Sequence, residues 1–193
     1  ALKLAIRAAW ASGKLGEKRD SDELPGLFTL AMGKMGAREL NYSSDIDLIV
    51  LFDLDILPVE GSRAKEAMVR LTRDLVRILE ERTEDGYVLR TDLRLRPDPA
   101  STAPAVSTQF ATGYYESVGQ NWERMAHIKA RVCAGDAAVD MVDTNTISSN
   151  NGMYGYLAQV TAGGSASLAL LNSSAVQNLN DGVRATGGAV IRL

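Results

Sequence analysis

The chain has 193 residues, of which 46% are hydrophobic and 23% charged, and its formal net charge is -3 at pH 7. This composition supports a packed core and excludes global disorder. The acidic balance argues against a general nucleic-acid binder. The single cysteine, Cys133, excludes an internal disulfide and a cysteine-built metal site, and favours a reducing cytoplasm. We find no apolar run of about 18 residues, so we expect no membrane span.

The first part of the chain alternates between helical and strand-like patterns. Apolar residues at helical spacing predict a helix over residues 1–15. A charged connector leads to a buried strand, Leu27 to Ala31. A turn at Gly33 to Gly36 follows, with room for a short helix over residues 37–40. A second strand, Ile46 to Phe52, is apolar at nearly every position, as is typical of a central strand covered on both faces.

Helical patterns dominate the next part. Ser62 is expected to cap a long helix reaching about Thr83. Its apolar residues recur at helical spacing and predict one buried face: Ala67, Leu71, Leu75, Ile78 and Leu79. Tyr87 to Arg96 then reads as a third strand, stopped by Pro97. Ser107 is expected to cap a helix that ends near Val118, and a further helix is expected from Gln120 to Ala134. That last helix carries three large apolar side chains at helical spacing, which we expect to lie in the core: Trp122, Met125 and Ile128.

The composition changes after about Asp136. The remaining residues carry few charges, are rich in Asn, Ser, Gly, Thr and Ala, and show no repeat of fixed period. We therefore predict a boundary there, with a folded domain over residues 1–136 and an atypical tail over 137–193 to which no chemistry is assigned. Because the chain starts at Ala1 without an initiator methionine, we expect it to be a fragment of a longer protein.

Three carboxylates suggest a metal site. Asp45 and Asp47 are two residues apart at the start of the second strand, so their side chains share a face, and Asp92 lies on the neighbouring predicted strand. If the strands are adjacent, all three converge, and an oxygen-only set suits Mg²⁺ or Mn²⁺. The alternative is that Asp45 caps a turn and that Asp92 pairs with Arg94.

Glycines and basic residues near these carboxylates suggest a phosphate site. Gly33 and Gly36 allow close approach of the backbone to a phosphate, and Lys34 adds a cation beside them. Arg94 and Arg96 are predicted to share the strand face of Asp92, and arginine holds phosphate oxygens bidentately. The alternatives are an ordinary strand–turn–helix corner with a solvated lysine, and a surface ladder of ion pairs.

Three blocks of sequence carry a resemblance to a known family. LAMGKMGARELNYSSDIDLIVLF, YVLRTDLRLRP and GYYESVGQNWERMAHIKAR resemble blocks of the glutamine synthetase adenylyltransferase/deadenylase family, in the same order and with plausible spacing. The resemblance covers residues 1–136. It implies an α/β (α+β) fold of the DNA polymerase β-like nucleotidyltransferase superfamily, with a small mixed sheet flanked by helices and an uncertain C-terminal tail.

The resemblance also implies roles for individual residues. The carboxylates expected to hold Mg²⁺ or Mn²⁺ are Asp45, Asp47 and Asp92. The residues expected around the nucleotide phosphates are Gly33, Lys34, Gly36, Ser44, Arg94 and Arg96. The superfamily's usual Gly-Ser or Gly-Gly pair is Gly33-Lys34 in this chain, which leaves the role of Lys34 open.

The implied function is nucleotidyl transfer in the cytoplasm on a protein substrate, glutamine synthetase. The third block is more similar to the N-terminal, deadenylylating half of these enzymes, so we favour phosphorolytic removal of AMP from an adenylylated tyrosine, with release of ADP. Adenylylation of the same tyrosine with ATP is the alternative. Two further alternatives stay open. One is a non-catalytic fragment that binds glutamine synthetase or a PII-type nitrogen regulator. The other is a nucleotidyltransferase acting on RNA or a small molecule, although the acidic charge weighs against RNA. The tail departs from the family, whose chains continue into a helical bundle.

Overall fold

A computed structural model describes residues 1–136, except for the side-chain environments at positions 61, 62 and 124. Within residues 137–193 it describes the backbone of the strands. The chain forms two compact units, Ala1–Asp136 and Ala137–Leu193. Among the described residues, no helix combines the length and the apolar character needed to cross a membrane.

The first unit contains five helices and five strands. In chain order these are α1 (Leu2–Ala11), β1 (Leu27–Ala31), α2 (Gly33–Gly36), β2 (Ile46–Phe52), α3 (Gly61–Glu80), β3 (Thr91–Asp92), β4 (Ala105–Ser107), α4 (Thr108–Ser117), α5 (Asn121–Ala126), a 3₁₀ turn (His127–Lys129) and β5 (Arg131–Gly135). The predicted bounds of β1 and β2 are confirmed. Ser107 caps α4 as predicted, because its hydroxyl accepts a hydrogen bond from the Phe110 N–H at 3.3 Å.

The five strands form one mixed sheet with β2 near its centre. The order is β3-β2-β1-β5, and β4 also pairs with β2. β1 runs antiparallel to both β2 and β5, whereas β3 and β4 run parallel to β2 at different points along its length. All residues of β2 except Asp47 are buried, as expected for a strand covered on both faces. The predicted α/β fold, a small mixed sheet flanked by helices, is confirmed.

One hydrophobic cluster joins the sheet to α1 and α3. The predicted apolar face of α1 is buried and consists of Leu2, Ala5, Ile6, Ala9 and Trp10. The predicted face of α3 is also buried at Ala67, Leu71, Leu75 and Leu79, with Ile78 partly buried. Burial of these two faces fixes the helices on the sheet, because apolar area removed from water stabilises by about 25 cal/mol per Å².

The prediction of a long third strand is wrong. Strand pairing stops after Thr91–Asp92, where the Arg94 N–H donates to Asp92 Oδ1 at 2.8 Å and the Arg96 N–H donates to the Leu93 carbonyl at 3.4 Å. An aspartate that bonds the backbone two residues on starts a turn and competes with strand pairing. Arg94 and Arg96 therefore do not share a strand face with Asp92.

The predicted helix from Gln120 to Ala134 is also wrong at its C-terminal end. α5 stops at Ala126, and residues 131–135 join the sheet as β5, on the edge of β1 that β2 leaves open. The segment therefore satisfies the backbone groups of that edge. The side chains expected in the core are instead exposed by 57% (Trp122), 66% (Met125) and 78% (Ile128).

The bounds of three helices also differ from the prediction. α1 ends at Ala11, before the expected Leu15. The short helix expected over residues 37–40 is α2, four residues earlier, and the left-handed φ of +63° at Arg38 prevents its continuation. The N-cap of α3 is Glu60, so Ser62 lies inside the helix, which ends at Glu80.

The described strands of the second unit pair in parallel. They are β6 (Val139–Thr144), β7 (Ile147–Ser149), β8 (Tyr156–Gln159), β9 (Ala166–Leu171), β10 (Ser174–Val176), β11 (Val183–Thr186) and β12 (Val190–Arg192). β9 lies between β6 and β12, β10 pairs with β7, and β11 pairs with β8. Three pairs share an offset of 27 residues, Val139 with Ala166, Ile147 with Ser174 and Tyr156 with Val183. This regularity lies in the backbone pairing and is not evident in the sequence.

Candidate active site

The central feature of the site is a pair of carboxylates on adjacent strands. Asp47 of β2 and Asp92 of β3 are direct partners in the parallel pairing, so their side chains lie on the same face of the sheet. The Ile46 N–H donates to the Arg90 carbonyl at 2.9 Å and holds the two strands in this register. Asp45 immediately precedes β2. Two strands distant in sequence thus bring Asp47 and Asp92 together beside Asp45.

The two paired carboxylates have opposite electrostatic environments. Burial, followed by the negative charges of Asp92 and Asp45, raises the pKa of Asp47 above its ordinary value of 3.8. The pKa of Asp92 lies below its ordinary value, chiefly because the Arg94 side chain donates hydrogen bonds to its carboxylate. Asp47 is therefore the member of the group that most lacks a compensating positive charge.

Two arginines hold the outer carboxylates. Arg94 donates from Nε to both oxygens of Asp92, at 3.0 and 2.9 Å, and from Nη2 to Oδ2 at 2.5 Å. The alternative in which Asp92 pairs with Arg94 is thus what the structure contains. Arg90 pairs through Nε with Asp45 Oδ1 at 2.5 Å and donates from Nη2 to the Ser43 carbonyl at 2.8 Å. Sequence reasoning missed Arg90, although its position two residues before Asp92 was a usable signal.

The glycine turn approaches the carboxylates at its first residue only. Gly33 has a φ of +49°, and a Cβ built on it would lie 3.1 Å from Asp47 Oδ2. A Cβ on Gly36 would instead lie 1.9 Å from the Lys129 carbonyl oxygen, so this glycine is required for backbone packing. Lys34 is exposed, and Ser44 is half-buried in the turn before Asp45.

Arg96 is placed differently from the other residues expected at the phosphates. Its guanidinium donates to the carbonyl oxygens of Leu93 at 2.8 Å, Pro99 at 2.9 Å and Thr102 at 2.9 Å. Burial lowers the pKa of Arg96. These bonds tie together the loop that follows β3, which is a structural use of the side chain.

An open cleft of about 450 Å³ lies beside the carboxylates. Its lining residues are Asp45, Val76, Glu80, Thr91, Asp92, Leu93 and Arg94. Glu80, at the C-terminal end of α3, was not among the predicted site residues. Its Oε1 accepts hydrogen bonds from the Thr91 N–H at 2.7 Å and from Thr91 Oγ1 at 2.5 Å. Nothing in its sequence context distinguishes it from the other charged residues of that helix.

The residues fit a hard divalent cation by their chemistry. Asp45, Asp47 and Asp92 supply oxygen ligands alone, and a cation would offset the burial and the neighbouring negative charges that raise the pKa of Asp47. Their spacing does not yet match this chemistry: within the part of the chain that the structure describes, no three His, Cys, Asp or Glu side chains are spaced to ligate one ion, so the three aspartates do not converge on one point as the sequence predicted. Because Arg94 donates three hydrogen bonds to the Asp92 carboxylate, a cation there would compete with this arginine.

Comparison with known proteins gives a consistent result. The sequence model of the glutamate-ammonia ligase adenylyltransferase family matches residues 1–145. A bifunctional glutamine synthetase adenylyltransferase/adenylyl-removing enzyme of Caulobacter vibrioides is 57% identical over 141 residues, which is 72% of this chain and 14% of the relative. Enzymes of the same name from Rhodopseudomonas palustris (strain BisB5) and Bradyrhizobium sp. (strain BTAi1) are 62% identical over 138 residues and 55% identical over 142 residues. These matches cover 70% and 72% of the chain, and the chain spans only 14% of the length of each of these relatives.

Proposed function

The chain belongs to the glutamate-ammonia ligase adenylyltransferase family, and from this premise we propose that residues 1–136 are a nucleotidyltransferase domain acting on glutamine synthetase. We favour phosphorolytic removal of AMP from an adenylylated tyrosine of that enzyme. The observation that carries the proposal is the side-by-side placement of Asp47 and Asp92 on adjacent parallel strands. A purely binding module would not require clustered carboxylates, one of which, Asp47, has its pKa raised first by burial and then by the negative charges of Asp92 and Asp45.

The reaction proposed is a displacement at phosphorus. An oxygen of inorganic phosphate forms a bond to the α-phosphorus of the tyrosyl-AMP ester, the bond from phosphorus to the tyrosine oxygen breaks, and ADP is the product. The tyrosine leaves as a phenolate and takes a proton from solvent. Because a phenol has a pKa of about 10, this leaving group needs little help from a general acid.

Asp45, Asp47 and Asp92 would hold Mg²⁺ or Mn²⁺ in this proposal. Such a cation, when bound, would stabilise negative charge on the attacking and departing oxygens. The Arg94 side chain is 84% exposed, and its planar fork matches a phosphate as well as it matches Asp92. We assign Arg94 to the attacking phosphate, and the turn at Gly33 to the nucleotide phosphates, since the absence of a side chain there leaves room beside Asp47.

The printed name of the relatives supports a second candidate, because it combines adenylyl transfer with adenylyl removal. In adenylylation the tyrosine oxygen attacks the α-phosphorus of ATP, and pyrophosphate leaves. The same carboxylates and the same glycine turn would serve both directions. The proposal places the protein in the cytoplasm, with ATP, ADP and phosphate as small-molecule partners and a PII-type nitrogen regulator as a further protein partner.

The test of the proposal is a release assay. The whole chain is incubated with adenylylated glutamine synthetase and Mg²⁺ or Mn²⁺, and ADP is measured with and without inorganic phosphate. We expect release that depends on phosphate and is lost in Asp45→Asn. Asp20→Asn is the matched control, because Asp20 is an exposed aspartate outside the cleft. A parallel reaction contains unmodified glutamine synthetase and ATP. Incorporation of AMP there, without phosphate-driven release in the first reaction, would replace removal by adenylylation, and absence of both activities would overturn catalysis.

A further inference from the structure

We propose that Arg131 is a positioning residue that holds the turn Gly33–Gly36 at the distance from Asp47 that the site needs. This proposal rests on the proposed function, in which that turn meets the nucleotide phosphates. Arg131 falls within the helix that the sequence predicts from Gln120 to Ala134, whereas the structure places it at the start of β5.

The side chain of Arg131 binds the C-terminal end of α2. Its Nε donates to the Gly36 carbonyl at 3.2 Å, and its Nη2 donates to the Met35 carbonyl at 3.1 Å. The last carbonyl groups of a helix lack partners within the helix and carry partial negative charge, so a cation there is stabilising. α2 has only four residues, and a helix that short does not hold its shape alone in water. Its geometry therefore depends on contacts such as these.

The backbone before Arg131 supports the same turn. A Cβ on Gly36 would lie 1.9 Å from the Lys129 carbonyl oxygen, so the two backbones are in direct contact. Arg131 itself pairs with Ala31 in the sheet, one residue before Met32, the N-cap of α2. Arg131 thus connects the end of the turn to the rigid strand from which the turn begins.

The other end of the turn lies at the carboxylates. The Met32 N–H donates to the Asp47 carbonyl at 2.9 Å, and Gly33 lies against the Asp47 carboxylate. A shift of the Gly36 end therefore changes the position of the Gly33 N–H and backbone relative to Asp47. Displacements of about 1 Å in a catalytic arrangement cost about a hundredfold in rate, so this restraint matters for the proposed reaction.

The chain offers a matched control for Arg131. Lys129, two residues earlier, pairs with Glu39 at 3.0 Å, but the two side chains are 53% and 63% exposed. Exposed ion pairs contribute little to stability. Lys129→Gln removes one positive charge from the same segment and leaves the carbonyl contacts of Arg131 intact.

Hydrogen exchange of the backbone amides in residues 32–37 tests the restraint directly, without a nucleotide or metal. In Arg131→Gln we expect exchange there to rise by about tenfold, the effect of losing one or two charge-assisted hydrogen bonds, while residues 46–52 exchange as in the wild type. Arg131→Lys keeps the charge but not the two-pronged fork, and we expect a smaller rise. Lys129→Gln should match the wild type. Unchanged exchange in both Arg131 variants would overturn the proposal, and so would an equal rise in Lys129→Gln.

Affinity for ADP, measured by calorimetry in the presence of Mg²⁺, separates positioning from general stability. We expect Arg131→Gln to weaken ADP binding by about tenfold at a temperature where its circular dichroism spectrum equals that of the wild type. Should Arg131→Gln fail to fold, the same comparison is made with Arg131→Lys. ADP affinity unchanged in a variant whose turn exchanges faster would overturn the positioning role. If the wild-type chain bound no ADP, the proposed function would be overturned instead. The hydrogen-exchange result would still test the restraint by Arg131, because that experiment uses no nucleotide or metal.

Discussion

Substitution of Gly36 by alanine tests why the turn beside the carboxylates contains two glycines. Sequence reasoning assigned both Gly33 and Gly36 to close approach of a phosphate. In the structure, a Cβ at Gly36 would lie 1.9 Å from the Lys129 carbonyl oxygen, 2.6 Å from the Ala31 carbonyl oxygen and 2.9 Å from the Lys129 carbonyl carbon. All three are backbone atoms, so no flexible side chain can move aside.

The expected magnitude follows from these distances. Carbon and carbonyl oxygen atoms approach no closer than about 3.3 Å, even in weak C–H···O contacts, so α2 must move by about 1.4 Å. Overpacking of this kind costs about 1–3 kcal/mol. The same movement lengthens the bonds from Arg131 to Met35 and Gly36. We expect a total loss near 3 kcal/mol, which lowers the melting temperature by about 6–12 °C in a chain of this size.

Thermal and urea denaturation of three variants measure this effect. Gly33 has a left-handed φ of +49°, and a Cβ on it would lie 3.1 Å from Asp47 Oδ2. For Gly33→Ala we therefore expect a smaller loss of stability, about 1–2 kcal/mol. Gly113→Ala in α4 meets no atom within 4 Å and should stabilise the protein by about 0.5–1 kcal/mol. The reasoning is refuted if Gly36→Ala is as stable as the wild type, or no less stable than Gly33→Ala.

Further predictions concern the carboxylates, the core and the cysteine. The pKa of Asp47 is raised in the folded protein, so its ionised form destabilises the fold at neutral pH. Asp47→Asn should therefore raise the melting temperature at pH 7 in metal-free buffer. This gain in melting temperature should fade as pH falls through the raised pKa. The Arg94 side chain lowers the pKa of Asp92, so the ionised carboxylate stabilises the fold above pH 3.8, and this stabilisation is lost as pH falls through the lowered pKa. Asp92→Asn should therefore lower the melting temperature at pH 7 and have no effect in strong acid. If both variants changed the melting temperature at pH 7 in the same direction, this electrostatic account would be contradicted. Leu75→Ala empties a buried position of α3 and should cost about 2–5 kcal/mol in urea denaturation; a loss below 1 kcal/mol would show that the core closes over the cavity. Burial raises the pKa of the Cys133 thiol, so the folded protein should react with a thiol reagent at neutral pH far more slowly than the urea-unfolded chain, and equal rates would contradict the burial.

The local patterns of the sequence determined much of the first unit. Alternating and continuous apolar runs predicted β1 and β2 with their observed bounds, and helical spacing predicted the buried faces of α1 and α3. Such patterns report the burial of one segment and depend only on neighbouring residues, but the same helical spacing wrongly predicted burial of Trp122, Met125 and Ile128. The acidic pair and Asp92 were identified in the same way, by residue type and spacing. Whether they act in catalysis stays a prediction.

Only the tertiary structure decided which strand each segment joins and which partner each charge finds. Residues 131–135 are compatible with a helix end, but the open edge of β1 makes them a strand, and this brings Arg131 to the carbonyl groups of α2. The bonds of Arg90 to Asp45 and of Glu80 to Thr91 likewise join residues of different elements. No periodicity records such pairings, because they depend on the distance between elements after packing and not on the spacing of residues within one element.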